Sequence, residues 1–368
     1  AAASGGFTTV CLMPNTNPPV DNLASLNFIF KEAKKNGYRL LPIACVTQGR
    51  KGSQLVDMSE LAEAGAVGFS DDGSPVSDPR IMQSALTYSL GSGLPIINHS
   101  EDLTLSAGGV MNEGWVSNRL GLKGIPYIAE DIMVARDIEL AEYTGGRLHL
   151  AHISTMGALK LVKRAKESGL DVTAEVTPHH LTLTQDIIMG NNSNIDSGGP
   201  LSYSAYDTMA KVNPPLRVEE DVQALVAGLK EGYIDAIATD HAPHSSVDKG
   251  CPFKEAACGI SGLETALGLG LRLVHDGDIG LSTLIERLTV GPARILGPYG
   301  EHIGNLKKDS YADLVIFDPQ KEWKVETTNF ASLGKNSPLN GYTLKGKVLG
   351  TISNGEVLFR DESLKEVI

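Results

Sequence analysis

Four residues stand where apolar runs give way to polar turns and carry side chains suited to divalent cations. They are an aspartate of the turn Ser70-Asp71-Asp72-Gly73, His99, His152 and Asp240. Imidazole nitrogen and carboxylate oxygen are donors that zinc accepts, and a shared carboxylate permits two ions side by side. Such ions activate water near neutral pH and polarise a carbonyl oxygen, so the set points to metal-assisted hydrolysis. Either Asp71 or Asp72 could supply the carboxylate. Strand pleating does not choose between them across an irregular ending, and one of the two could instead cap the next helix. His179-His180 follows Pro178 in a turn, where supporting a ligand is as good a reading as being one. His149 lies inside an apolar run and reads as structural, and His275 and His302 have no ligand spacing.

These side chains converge only if the elements beneath them are in register. Short apolar runs at 7–12, 40–46, 66–69, 95–98, 147–151, 171–176 and 235–238 have the near-continuous hydrophobicity of parallel strands covered on both faces. Between them lie helical stripes, such as Ile128, Ile132, Ala135 and Ile138, or Val222, Leu225, Val226 and Leu229. Alternation of this kind is an α/β fold. A parallel barrel closes with eight strands and carries its chemistry at their C-terminal ends, where these polar residues fall. Seven strand-then-helix units are legible, with helices over 262–275 and 281–288 completing the outer ring, and the first barrel strand is expected to precede Ala1. From about residue 300 the texture changes to strands at 312–317, 322–325 and 344–349 and a hairpin turning at Asn354-Gly355, a pair that favours the type I′ turn. The expected division is a hydrolase barrel at 1–299 and a small β-domain at 300–368, which the segment before Ala1 would complete. The glycine-, serine- and asparagine-rich stretch 190–204 reads as a flexible insertion, and 240–259 has the length of a loop that covers a substrate.

Composition narrows the class. The 368 residues are 42% hydrophobic and 21% charged, enough for one large core with a smaller appendage. No run approaches the 18 or so apolar residues of a membrane span. The net charge of -12 is spread along the chain, which argues against a nucleic-acid footprint. Cys11, Cys45, Cys251 and Cys258 show no paired spacing, as expected of free thiols in a reducing cytoplasm.

The chain resembles the type I dihydroorotases of the amidohydrolase superfamily almost from end to end. The most specific match is Ala238-Thr239-Asp240-His241-Ala242-Pro243-His244 with Lys249 after it. It is supported by Met13-Pro14-Asn15-Thr16, Phe69-Ser70-Asp71-Asp72-Gly73, His99 with Glu101-Asp102, Glu175 to His180, and Val212-Asn213-Pro214-Pro215-Leu216-Arg217. The resemblance implies a (β/α)8 barrel and reversible cyclisation of N-carbamoyl-L-aspartate to L-dihydroorotate in pyrimidine synthesis. It implies two zinc ions bridged by Asp72, where related hydrolases use a carboxylated lysine, with His99 and His152 on one ion. Asp240 would ligate the other and act as acid and base. Substrate contacts are implied for Asn15, Asn213, His244 and the backbone at Cys258-Gly259, although cysteine departs from the pattern before that glycine. The family's His-x-His-x-Arg strand would lie before Ala1, and no His-x-His occurs in the chain. Without it, weak or no activity is expected of these residues alone. Homodimers and assembly with aspartate transcarbamoylase are common among such proteins. The competing readings are a hydantoinase or allantoinase, disfavoured by aspartate at position 72, and a catalytically silent subunit that binds aspartate transcarbamoylase.

Overall fold

A computed structural model of the chain describes residues 1–35, 37–190 and 205–364. The stretch 190–204, read above as a flexible insertion, lies outside the described residues beyond Gly190. Strand β1 (Thr9–Leu12) pairs in parallel with β2 (Arg39–Pro42). Parallel bridges from Ala44 to Phe69 and from Phe69 to Ile96 carry the order on to β3 (Ile96–His99). A short parallel pair, β4 (Met111–Asn112) and β5 (Gly124–Ile125), stands apart from this wall. The wall continues as β6 (Leu148–Ala151), β7 (Val172–Val176) and β8 (Ala236–Ile237), each parallel to its predecessor. Spatial order therefore follows chain order, as right-handed strand-helix-strand connections require. Among the described residues no ladder joins β1 to β8.

Every residue of β3 and β6 is buried, because helices cover one side of the wall and the opposite strands the other. The main core gathers Phe69, Ile96, Leu148, Leu150 and Val176 with Leu86 and Val162 from the outer helices. Helix starts follow side-chain chemistry. Asp78 accepts from the Arg80 amide ahead of helix Pro79–Ser89, and Thr155 accepts from the Ala158 amide ahead of helix Met156–Glu167.

Helix Ile128–Thr144 overturns the expected stripe. Ile128 and Ile132 are exposed, whereas Ala129, Glu130, Met133, Val134, Asp137, Ile138 and Ala141 face inward. Ile138 of that stripe is buried and Ala135 half-buried, but two carboxylates share the inner face, so hydrophobic periodicity misplaced the first half of the helix. Helix Glu219–Glu231 buries Val222, Leu225 and Leu229 as its pattern implies.

The C-terminal strands form one antiparallel sheet, β9 (Leu314–Lys324), β10 (Thr343–Ser353) and β11 (Glu356–Arg360), with β10 in the middle. The runs at 312–317 and 322–325 merge into the single strand β9. A register shift between Lys345 and Lys347 absorbs the residues around Pro319, which has no amide to give the ladder. The hairpin turns at Asn354 and Gly355, both with positive φ. This sheet rests on helix Ala266–His275 at glycine contacts: a Cβ on Gly346 would lie 2.2 Å from Leu271, and one on Gly268 would lie 3.0 Å from Leu344. A second core, with Tyr342, Leu344 and Val325 against Leu269, Phe253 and Ile260, runs across this junction.

Candidate metal centre and its surrounding loops

The strand ends bring Asp72, His99 and His152 together, with one ligand atom from each lying within 4.8 Å of the others, and all three buried. His99 Nδ1 is 3.1 Å from His152 Nε2, which is 3.4 Å from an Asp72 carboxylate oxygen. Two imidazole nitrogens face each other across a carboxylate, an arrangement that needs a proton or a cation between them. Burial alone would lower the His152 pKa, but the Asp72 hydrogen bond and the charges of Asp240 and Glu175 push it up to about 9. Burial would raise Asp72, yet His152, His99 and Arg50 together hold it below the ordinary carboxylate range. A divalent ion would have to displace the proton that the raised pKa of His152 retains, and the two nitrogens and one oxygen suit zinc.

The elements around the cluster aim these donors. His99 turns its other nitrogen, Nε2, to Glu101 at 3.0 Å, and that carboxylate also accepts from Asn213 Nδ2 at 2.7 Å. A carboxylate behind a ligand imidazole sets its tautomer and raises its basicity. The competition between Asp71 and Asp72 is resolved by packing. Asp71 accepts from the Val46 amide at 2.9 Å, the Thr47 amide at 3.1 Å and the Thr47 hydroxyl, so it ties down the loop after β2. Asp72 turns to the imidazoles instead, with Arg50 bonded to its carbonyl oxygen and Asn15 Nδ2 bonded to its carboxylate at 2.8 Å. His152 and Asp240, with φ of 35° and 45°, are non-glycine residues in the left-handed region. Such a conformation costs on the order of 1–3 kcal/mol and persists only where the surroundings impose it.

Asp240 lies close enough for its charge to act on His152, and it joins no hydrogen bond described here. Asp240 is half-buried. Desolvation raises its pKa, the His152 and His99 charges oppose that, and Asp72 and Glu175 add to it. The net shift is upward, toward the range where a carboxyl group can both take and give a proton.

Of the other candidate residues, Asn15 bonds to Asp72 and Asn213 reaches His99, whereas His244, Cys258 and Gly259 bond to one another and to Lys211. Asn213 joins Glu101 and lies 3.4 Å from His99 Nε2. His180 supports that turn, with Nε2 3.0 Å from the Pro214 carbonyl and Nδ1 2.8 Å from the Thr177 hydroxyl. His244 Nε2 meets the Cys258 carbonyl at 2.8 Å, and the Gly259 amide donates to the Lys211 carbonyl. His149 is engaged by Thr173 and Glu175 inside the barrel.

Several residues that organise this region were not legible as such. Buried Glu130 accepts from the Ser154 amide at 2.7 Å and the Thr155 amide at 3.1 Å, just after His152. Arg217 closes the network, donating to Ser154 Oγ and Asn112 Oδ1, each at 2.9 Å, and pairing with Glu130 at 3.4 Å. Only an acidic residue on an otherwise inward helical face could have signalled Glu130; Arg217 ends a motif quoted above but had no role assigned to it, and nothing local distinguished Arg50.

Comparison with known proteins gives a consistent result. The profile of the family described as Dihydro-orotase-like matches residues 1–158. The chain is 47% identical over 361 residues to a dihydroorotase of Geobacter sp. (strain M21), the match covering 98% of this chain and 81% of that relative. It is likewise 47% identical to a dihydroorotase of Geobacter metallireducens, over the same shares. Among solved structures, the L-hydantoinase (dihydropyrimidinase) of Arthrobacter aurescens superposes with a TM-score of 0.80 at 27% identity, covering 98% of this chain and 78% of that one. Dihydropyrimidinase from Brevibacillus agri, at 18% identity and a TM-score of 0.77, shares the fold.

Proposed function

The chain belongs to the dihydroorotase family, and from that premise we propose that it interconverts L-dihydroorotate and N-carbamoyl-L-aspartate with zinc as its metal. The observation that carries this reading is the close packing of Asp72, His99 and His152 beside Asp240. Aspartate at position 72, where a hydantoinase of related fold would need a lysine for carboxylation, favours the dihydroorotase reaction. Asp72, His99 and His152 would hold one zinc, and Asp72 with Asp240 would contribute to a second. When bound, zinc supplies an activated water and an electrophile for the ring carbonyl.

The protein's own groups do the rest. Asp240 takes the proton of the attacking water and passes it to the ring nitrogen as the carbon–nitrogen bond breaks, and cyclisation runs the same transfer backwards. Glu101 keeps His99 in the tautomer that leaves Nδ1 free for the metal. Asn15, Asn213, His244 and the backbone at Cys258 and Gly259 orient the substrate, with Asn213 sharing the Glu101 carboxylate. Free thiols at Cys11, Cys45, Cys251 and Cys258 support a cytoplasmic setting. No helix of the described residues is long and apolar enough to cross a membrane.

The test is hydrolysis of dihydroorotate, followed as N-carbamoyl-L-aspartate formed, before chelation, after it, and on adding zinc back. Activity that falls and returns with zinc supports the reading; a zinc-loaded full-length protein, carrying a His-x-His-x-Arg strand, with no turnover of dihydroorotate refutes it. Asp240→Asn should leave metal bound and lose turnover by a factor on the order of 100 to 10,000. Most of the activity surviving that substitution would remove Asp240 from the role.

A further inference from the structure

The loop from His241 to Ile260 is drawn together at its neck by a single side chain from the C-terminal part of the chain. Asn336 is 3% exposed. Its Oδ1 accepts from the His244 amide and from Ser261 Oγ, each at 2.8 Å. Its Nδ2 donates to the Ala242 carbonyl at 3.0 Å and to the Gly259 carbonyl at 2.9 Å. The Ser261 amide donates to the Asn336 carbonyl at 2.7 Å. The two carbonyls fill both donors and the His244 amide fills one lone pair, while the single Ser261 hydroxyl hydrogen is shared between Asn336 Oδ1 and the Gly334 carbonyl, each at 2.8 Å. These partners also fix its orientation, since a flipped amide would set its NH2 against the His244 N–H and its oxygen against two carbonyls.

Two glycines show how closely the backbones approach. A Cβ on Gly334 would lie 2.6 Å from Pro243 and 2.7 Å from the His244 nitrogen, and one on Gly259 would lie 2.5 Å from Ala242 Cβ. The neck is also pinned by a parallel bridge between His241 and Ile260. Farther out, buried Lys249 donates to the Thr208 and Lys211 carbonyls, and buried Lys211 donates to the Phe253 and Lys254 carbonyls. The loop body thus has its own fastening, whereas its two ends meet at Asn336.

We propose that Asn336 is a positioning residue for substrate affinity: it holds the His244 amide and the Gly259 carbonyl in register, so that the loop presents one fixed surface to the ligand. This rests on the reading above that His244 and Gly259 face substrate. Asn336 bonds to none of Asp72, His99, His152 or Asp240, so its loss leaves the metal cluster and the proton path in place.

The experiment compares wild type, Asn336→Ala and Asn336→Asp in steady-state kinetics, zinc content and hydrogen exchange over residues 241–261. Both variants should raise KM on the order of tenfold or more, with kcat within about threefold and zinc content unchanged. Amides of 241–261 should exchange faster in both. The aspartate variant keeps the acceptor but points an anionic oxygen at two carbonyls, so it should be at least as impaired as the alanine one. An unchanged KM with unchanged exchange overturns the proposal, as does a loss confined to kcat and zinc content. Wild-type protein that fails to turn over dihydroorotate would count against the proposed function alone. Exchange over 241–261 would then decide the latch by itself: faster in the variants supports it, unchanged refutes it.

Discussion

The buried pair of Arg217 and Glu130 offers the sharpest energetic test of how the His152 strand end is held. Arg217→Met keeps most of the side-chain volume and removes the bonds to Ser154 Oγ, Asn112 Oδ1 and Glu130. It leaves a carboxylate that is 3% exposed with the Ser154 and Thr155 donors but no cation. Breaking a buried pair by deleting one partner costs about 3–5 kcal/mol, most of it the uncompensated charge. Adding Glu130→Gln removes that charge, and the amide can still accept from the Ser154 and Thr155 backbone while donating to Ser154 Oγ. The remaining cost is then that of an unsatisfied Asn112 oxygen and one weakened bond, about 1–3 kcal/mol. The double variant should therefore be more stable than Arg217→Met alone by about 2 kcal/mol, a rescue that simple loss of contacts would not produce. Urea unfolding monitored by circular dichroism, with wild type and all three variants forming a closed cycle, measures it. A cost below about 1 kcal/mol for Arg217→Met, or a double variant less stable than that single one, would refute the reasoning.

Two further perturbations test the groups behind the ligands. Glu101→Ala removes the acceptor for His99 Nε2 and for Asn213, and should weaken zinc binding by about 10–100-fold in competition with a chromogenic chelator; unchanged affinity would show that His99 needs no partner. Asp137, fully buried under Asn98, has its pKa raised to about 6 by desolvation, against the pull of Arg136. Because the unfolded chain releases this proton at a lower pH than the folded one, Asp137 costs stability as pH rises from about 4 to 6. The stability of wild type relative to Asp137→Asn should accordingly fall by about 2 kcal/mol between pH 4 and pH 7. Denaturation midpoints at the two pH values check it, and a pH-independent difference would rule out the buried charge.

The barrel's strands and the candidate ligands were readable in the chain itself, for a physical reason. Parallel strands covered on both faces must be apolar throughout, so the first polar residues after each mark the mouth, and several histidines and aspartates at separate strand ends point to one centre where any one alone would not. Turn chemistry was equally local: Asn354-Gly355 needs no distant contact to favour its hairpin. Tertiary structure decided whatever depended on a partner far along the chain. Asp71 and Asp72 are adjacent and chemically identical, and only the amides of Val46 and Thr47 draw one away from the imidazoles. Helix Ile128–Thr144 turned its carboxylates inward because Arg217 and Asn98 wait there, which no periodicity within that helix encodes. Asn336 is a polar residue in a loop until the fold carries it 92 positions back to His244. Hydrophobic pattern is a property of a segment, while the satisfaction of a buried polar atom belongs to the pair, and the pair exists only once the chain has folded.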